Sequence, residues 1–138
     1  MKLSEFIKQC RFYIWKESFA IVKAKHTCPD AFANIIDKNE ITLVIEQRKI
    51  NQKDVIAIAK NWKILTFDMV LPLGLVGFLA TVLKTLADEG ISIYVISAYS
   101  TDHILIRGKD VAKAKEVLKK LGCKVLKENV SITHLKKC

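Results

Sequence analysis

Proline and glycine are scarce in this chain, with two of the first and five of the second among 138 residues. No Ser/Gly/Pro-rich tract and no low-complexity segment divides it, so there is no flexible linker and the two halves are expected to be closely coupled. Long apolar runs are missing as well. The longest candidate, Met69 to Ala87, is interrupted by Pro72, Gly74, Gly77 and Lys84, whereas a membrane-spanning helix needs about 20 apolar residues. The start, MKLSEFIKQC, lacks the apolar run and the small-residue cleavage site of a secretory signal, and the expected location is the cytoplasm.

Cysteine is limited to Cys10, Cys28, Cys123 and Cys138, which does not make a disulfide scaffold; in the cytoplasm these thiols are expected to be reduced. Two local pairs, His26-x-Cys28 and His134-x-x-x-Cys138, bring soft ligands together, but neither has the spacing of a zinc knuckle and they lie at opposite ends of the chain. No metal and no cofactor is expected. A nucleophile elbow, a P-loop and an H-E-x-x-H motif are all missing, so no catalytic residue is assigned and the protein is read as non-enzymatic. Acidic residues are outnumbered 14 to 23, giving a net charge of +9. Such a balance raises the question of nucleic acid, because clustered Lys and Arg neutralise phosphates. The clustering is weak: modest groups occur at Lys113, Lys115, Lys119 and Lys120 and at Lys136 and Lys137, and a solvated helix face accounts for them.

What the chain does have is apolar periodicity, with 51% hydrophobic residues. Phe12 to Lys16 and Phe19 to Ala24 predict a strand pair turning at Lys16-Glu17-Ser18. A loop and short helix are predicted from near Pro29, a strand over Ile41 to Glu46, and a helix after Asn51 with Val55, Ile58, Ala59 and Trp62 on one face. From Lys63 onward the pattern is clearer. Leu65, Phe67, Met69 and Leu71 alternate onto one face of a strand, with Thr66 and Asp68 on the other. Leu75, Leu79, Val82, Leu83 and Leu86 make a helical stripe that stops at Gly90. Ile91, Ile93 and Val95, the connection AYSTD and then His103 to Arg107 form a hairpin. A helix follows from about Asp110, with Val111, Ala114, Val117, Leu118 and Leu121 inward and a stop at Gly122, and a last strand spans Cys123 to Ile132. The order β-α-β-β-α-β predicts an α+β, ferredoxin-like antiparallel sheet with helices on one face.

Three segments carry a family resemblance: Gly77-Phe78-Leu79-Ala80, Leu86-Ala87-Asp88-Glu89-Gly90-Ile91-Ser92, and Ser97-Ala98-Tyr99-Ser100-Thr101-Asp102-His103-Ile104-Leu105-Ile106. They resemble the ACT family of regulatory ligand-binding domains, and most closely the small tandem-ACT proteins related to the CASTOR-type cytosolic arginine sensors. Phe19-Ala20-Ile21-Val22 and Asn39 to Val44 resemble strands of that group's abbreviated first unit. The resemblance implies two ACT-like units in tandem, 1–62 and 63–138. Ala98 stands where the family usually has Thr, which removes a hydroxyl from the implied site and leaves a changed ligand, or none, as alternatives.

The segment from Pro72 to Gly77 ends a strand and opens a helix, so unpaired N–H groups and the positive helix end could receive a carboxylate; a tight turn alone also explains its glycines. Ser97 to Asp102 offers hydroxyls and a carboxylate for an ammonium group, although such residues in a hairpin connection commonly satisfy their own backbone. His103 follows Asp102 directly, and neighbouring strand residues point to opposite faces, which argues against an acid-base pair. Combined with the resemblance, these residues imply a sensor that binds an amino acid or similar metabolite at an interface between ACT units. Its site would be Gly74, Leu75, Val76, Gly77, Ser97, Ala98, Tyr99, Thr101 and Asp102. A homodimer and a regulated protein partner are expected, without nucleic acid or membrane. Two rivals remain: an RNA-binding ferredoxin-like module, for which Phe67 and Tyr94 are the available rings, and a structural dimerisation domain without ligand.

Overall fold

The computed structural model describes residues 2–72 and 77–126. They form two compact units. One takes the described residues up to Lys16 together with those from Lys63 to Leu126; the other is Glu17–Trp62. The sequence reading grouped the first sixteen residues with the stretch ending at 62, whereas α1 (Leu3–Lys8) and β1 (Arg11–Ile14) pack in the unit that resumes at Lys63.

That unit contains the expected βαββαβ order: the end of β5 (Val55–Phe67), α2 (Phe78–Ala87), β6 (Ile93–Ser97), β7 (Asp102–Arg107), α3 (Val111–Leu121) and β8 (Lys124–Val125). β7 pairs with β5 and, antiparallel, with β6. The strand expected over Phe12 to Lys16 takes the opposite side of β5. β1 runs antiparallel to β5, with Phe12 opposite Phe67 and Ile14 opposite Leu65, and β8 pairs in parallel with β1. The last strand of the predicted module therefore hydrogen-bonds to the start of the chain. Of its predicted span, residues 127–132 lie outside the described residues.

Side-chain alternation then sends Phe12, Ile14, Leu65, Phe67, Ile104 and Ile106 to the face covered by the helices, where they meet Phe78, Val82, Leu86, Ala114 and Leu118. The Phe67 ring sits edge-on to Phe78, with centroids 5.6 Å apart, an arrangement worth about 1 kcal/mol beyond the area buried. The two helix stops are as the sequence indicated: Gly90 and Gly122 both have positive φ, at 73° and 121°. Strand β5 ends at Phe67, short of the predicted alternation through Leu71, and the Met69 amide donates to the Phe67 carbonyl in the turn that follows. Cys10 and Cys123, both buried, form a disulfide between the end of α1 and the start of β8. This corrects the expectation of dispersed, reduced thiols, since spacing along the chain carries no sign that residues this far apart meet.

The second unit is an antiparallel sheet in the order β3 (Ala33–Ile36), β4 (Ile41–Glu46), β2 (Phe19–Ala24) and the first part of β5. No helix longer than a single 3-10 turn occurs among its described residues. Ala20, Val22, Ala24, Leu43 and Ile45 are covered instead by Cys28, Ala31, Ile50 and Val55. Neither predicted helix formed. Near Pro29 the chain makes a turn, with the Asn34 side chain bonded to both the amide and the carbonyl of Cys28, and continues as β3. After Asn51, whose Oδ1 does accept from the Lys53 amide, one 3-10 turn leads directly into β5. The apolar positions Val55, Ile58, Ala59 and Trp62 fit a helical period, but the segment is rich in β-branched residues and pairing with β2 decides the outcome. The predicted hairpin between the first two strands is also corrected: β2 registers with Val55–Trp62 and β1 with Leu65–Phe67, so both use β5.

Candidate ligand-binding site

In the first unit the hairpin β6–β7 closes with Ser97 opposite Asp102, and the Ala98 amide donates to the Thr101 carbonyl across the turn. Ser97 Oγ donates to Asp102 Oδ1 at 2.7 Å, which fixes the carboxylate. A backbone bond from the Leu71 amide to the Ser100 carbonyl, 2.8 Å long, ties the turn to the chain leaving β5. Beside it α2 begins. Gly77 is its N-cap, with φ 91°, a conformation that L side chains rarely adopt. Among the described residues no side chain caps this end, and the amides of the first turn have no partner inside the helix.

These pieces enclose a pocket of about 260 Å³ lined by Leu71, Pro72, Gly77 to Ala80 and Ser97 to Asp102. Gly77, Ser97, Ala98, Tyr99, Thr101 and Asp102 are thus brought together, all within one unit. Gly74, Leu75 and Val76 lie outside the described residues. Leu71 and the first turn of α2 are lining residues that the sequence pattern does not single out; the rule that a helix leaves its first amides unpaired is the available signal for the second of these. Chemically the pocket presents a positive helix end on one wall and a fixed carboxylate on the other.

His103 turns away from Asp102, as alternation requires, and its Nδ1 lies 2.8 Å from Thr66 Oγ1. Thr66, placed on a polar face by the sequence pattern, is buried and also accepts from the Trp15 indole N–H at 2.7 Å. Burial lowers the His103 pKa below the ordinary imidazole value, while the negative Asp102 opposes that shift. Phe67, one of the two rings available for stacking on RNA bases, is fully buried in the helix-covered core and cannot present a face to a nucleotide. Among the described residues no group of three or more His, Cys, Asp and Glu side chains is arranged to hold a metal ion, and no helix is long and apolar enough to cross a membrane.

No curated protein sequence matches the chain. The family model of the ACT domain matches residues 57–120, which run from β5 through nearly all of α3. Among solved structures, the chain is similar to a protein from Agrobacterium tumefaciens, with 21% identity over 89% of this chain and 96% of that one and a TM-score of 0.77. A protein of unknown function from Vibrio cholerae, described as a possible transport protein, has 24% identity, covers 84% of this chain and 93% of its own, and gives a TM-score of 0.70. The regulatory subunit of aspartate kinase from Thermus thermophilus, in a ligand-free form, is similar at 6% identity, 80% and 95% coverage and a TM-score of 0.56. At these identities the structural likeness speaks for fold, and it agrees with the family match and the strand order: the chain has the α+β, ferredoxin-like ACT fold, with an ACT domain match over residues 57–120.

Proposed function

We propose that this protein is a non-catalytic regulatory module that binds an amino acid in the pocket between the β6–β7 turn and the start of α2. The observation that carries the reading is the pairing of opposite polarities across one small pocket: the N-terminus of α2, where among the described residues no side chain caps the first amides, lines a site that also holds Asp102, clamped by Ser97. An α-carboxylate is the natural partner of the first and an α-ammonium of the second. The pocket's volume suits a molecule of that size. Occupancy would join the turn to the helix, adding to the Leu71–Ser100 backbone bond that ties the turn to the chain leaving β5, and a protein partner would read the stiffened surface.

The test is isothermal calorimetry of the purified protein against each of the twenty amino acids at millimolar concentration. At least one is expected to bind, and Asp102→Ala is expected to weaken it more than about tenfold by removing a charge-assisted bond. A flat response across all twenty refutes the reading. So does undiminished binding by the Asp102→Ala protein.

A further inference from the structure

In the second unit, β4 ends in a carboxylate that has no evident structural reason to be buried. Glu46 is 3% exposed, opposite Phe19 across the ladder, at a position where an apolar residue would cost nothing to desolvate. Its Oε1 pairs with Arg48 Nε; its Oε2 lies 3.6 Å from Lys49 Nζ and takes no hydrogen bond among the described residues. A buried carboxylate with one undersupplied oxygen is expensive, and a native fold that keeps one calls for an explanation. The neighbouring backbone is equally unusual. Asn61 in β5 has φ 67°, uncommon for a residue with a side chain, and is held there by Gln47, whose Oε1 accepts from the Asn61 amide at 2.8 Å while Nε2 donates to Asn61 Oδ1 at 3.3 Å. The Gln47 amide in turn donates to the Ser18 carbonyl.

Ser18, Glu46, Gln47, Arg48 and Lys60 line a depression of about 410 Å³ at this corner. Glu46 engages Arg48 through Nε, so the two terminal nitrogens of the guanidinium stay available while its orientation is set. Lys60, next to the fixed Asn61, supplies a second cation to the depression, and the Ser18 hydroxyl a neutral donor. Arg48 and Lys49 pair with the one carboxylate and Lys60 lines the same depression, leaving a positive surplus that a cation would not enter.

We propose that this corner is a second ligand site, one for a small oxyanion, a carboxylate or phosphate group, bound between Arg48 and Lys60, with Glu46 as the residue that positions Arg48. It goes beyond the amino-acid pocket of the first unit and shares no residue with it.

Inorganic phosphate and glutarate serve as separate probes, each titrated by calorimetry at low salt into the wild-type protein and into Lys60→Ala, Lys60→Arg, Glu46→Gln, Lys119→Ala and Asp102→Ala. At least one probe is expected to bind the wild type. Lys60→Ala and Glu46→Gln should each weaken it by about tenfold or more, Lys60→Arg should restore it, and Lys119→Ala and Asp102→Ala should leave it unchanged. The probe that binds separates phosphate from carboxylate chemistry. As a positioning test, the Arg48 Nε–H resonance should be resolved in wild type and exchange-broadened in Glu46→Gln, with the backbone amide spectrum otherwise retained. The proposal is overturned if neither probe binds, if Lys119→Ala weakens binding as much as Lys60→Ala, which would mark diffuse attraction to a basic surface, or if Glu46→Gln leaves both affinity and the Arg48 signal unaltered. Loss in Asp102→Ala alone would assign the probe to the other pocket and equally overturn it.

Discussion

Breaking the link between Cys10 and Cys123 should cost this protein much of its stability. The cross-link joins residues separated by 113 positions, with Cα atoms 4.5 Å apart. In the chain-entropy treatment, closing a loop of that length in the unfolded ensemble removes about 16 cal/mol/K, or about 5 kcal/mol at room temperature. That figure is a ceiling, because a compact denatured state has already lost part of the entropy. Set against a urea dependence of about 2 kcal/mol per molar, it corresponds to a fall of about 2 M in the unfolding midpoint. Equilibrium urea unfolding of the wild type is measured with and without a phosphine reductant, alongside Cys10→Ala/Cys123→Ala. The reductant arm isolates the cross-link; the double substitution adds the loss of two buried sulfurs, whose side chains are 1% and 3% exposed. A thiol titration in denaturant gives the independent check, with at least two more reactive groups expected after reduction than before it. Four thiols before reduction, or a midpoint that reductant does not move, would refute the reasoning.

Two further predictions concern single side chains. Because the folded-state pKa of His103 is lowered, the unfolded chain binds the proton more readily; this contribution to stability is complete above about pH 6.5 and is lost as pH falls below it toward the folded value. Urea midpoints taken from pH 7.5 down to 5 should therefore decline more steeply for the wild type than for His103→Gln, and parallel profiles would contradict the assignment. At Asn61, φ 67° predicts that Asn61→Val costs about 2 kcal/mol more than Asn61→Gly, because both variants keep the backbone amide bond to Gln47 Oε1 and lose the side-chain bond from Gln47 Nε2, and only Val is penalised by the left-handed conformation; equal midpoints for the two variants would rule out a strained corner.

The second half of the chain was legible because its signals are local. Gly90 and Gly122 end helices whose inward stripes, Val82 with Leu86 and Ala114 with Leu118, follow from periodicity alone. Phe78, just as deeply buried, was overlooked in that stripe because it opens the helix immediately after Gly77. What the sequence hid depends on partners far along the chain. Val55 to Trp62 satisfies a helical template and a strand template at once, and only the presence of β2 alongside resolves it. Thr66 looked solvent-facing by alternation, yet Trp15 and His103 supply it with buried polar partners. Of the nine residues that the turn, the helix start and the family resemblance single out together, six line one pocket, because both segments are local. Glu46 was passed over, since a carboxylate at a strand end ordinarily faces water and its burial is a tertiary fact.

The placement of β1 bears on how the chain folds as it is made. Glu17–Trp62 is continuous, and its strands β2, β3 and β4 pair with near neighbours in sequence, so this unit can close early. The other cannot. β1 emerges first but pairs with β5 only some fifty residues later, as the separation of 51 between Trp15 and Thr66 illustrates, and its second neighbour, β8, comes after α3. During synthesis this segment must wait, with Phe12 and Ile14 uncovered, until β8 has been made. Of the described strands, the one made first is thus among the last to acquire both its neighbours, and the Cys10–Cys123 link can form only when that wait is over.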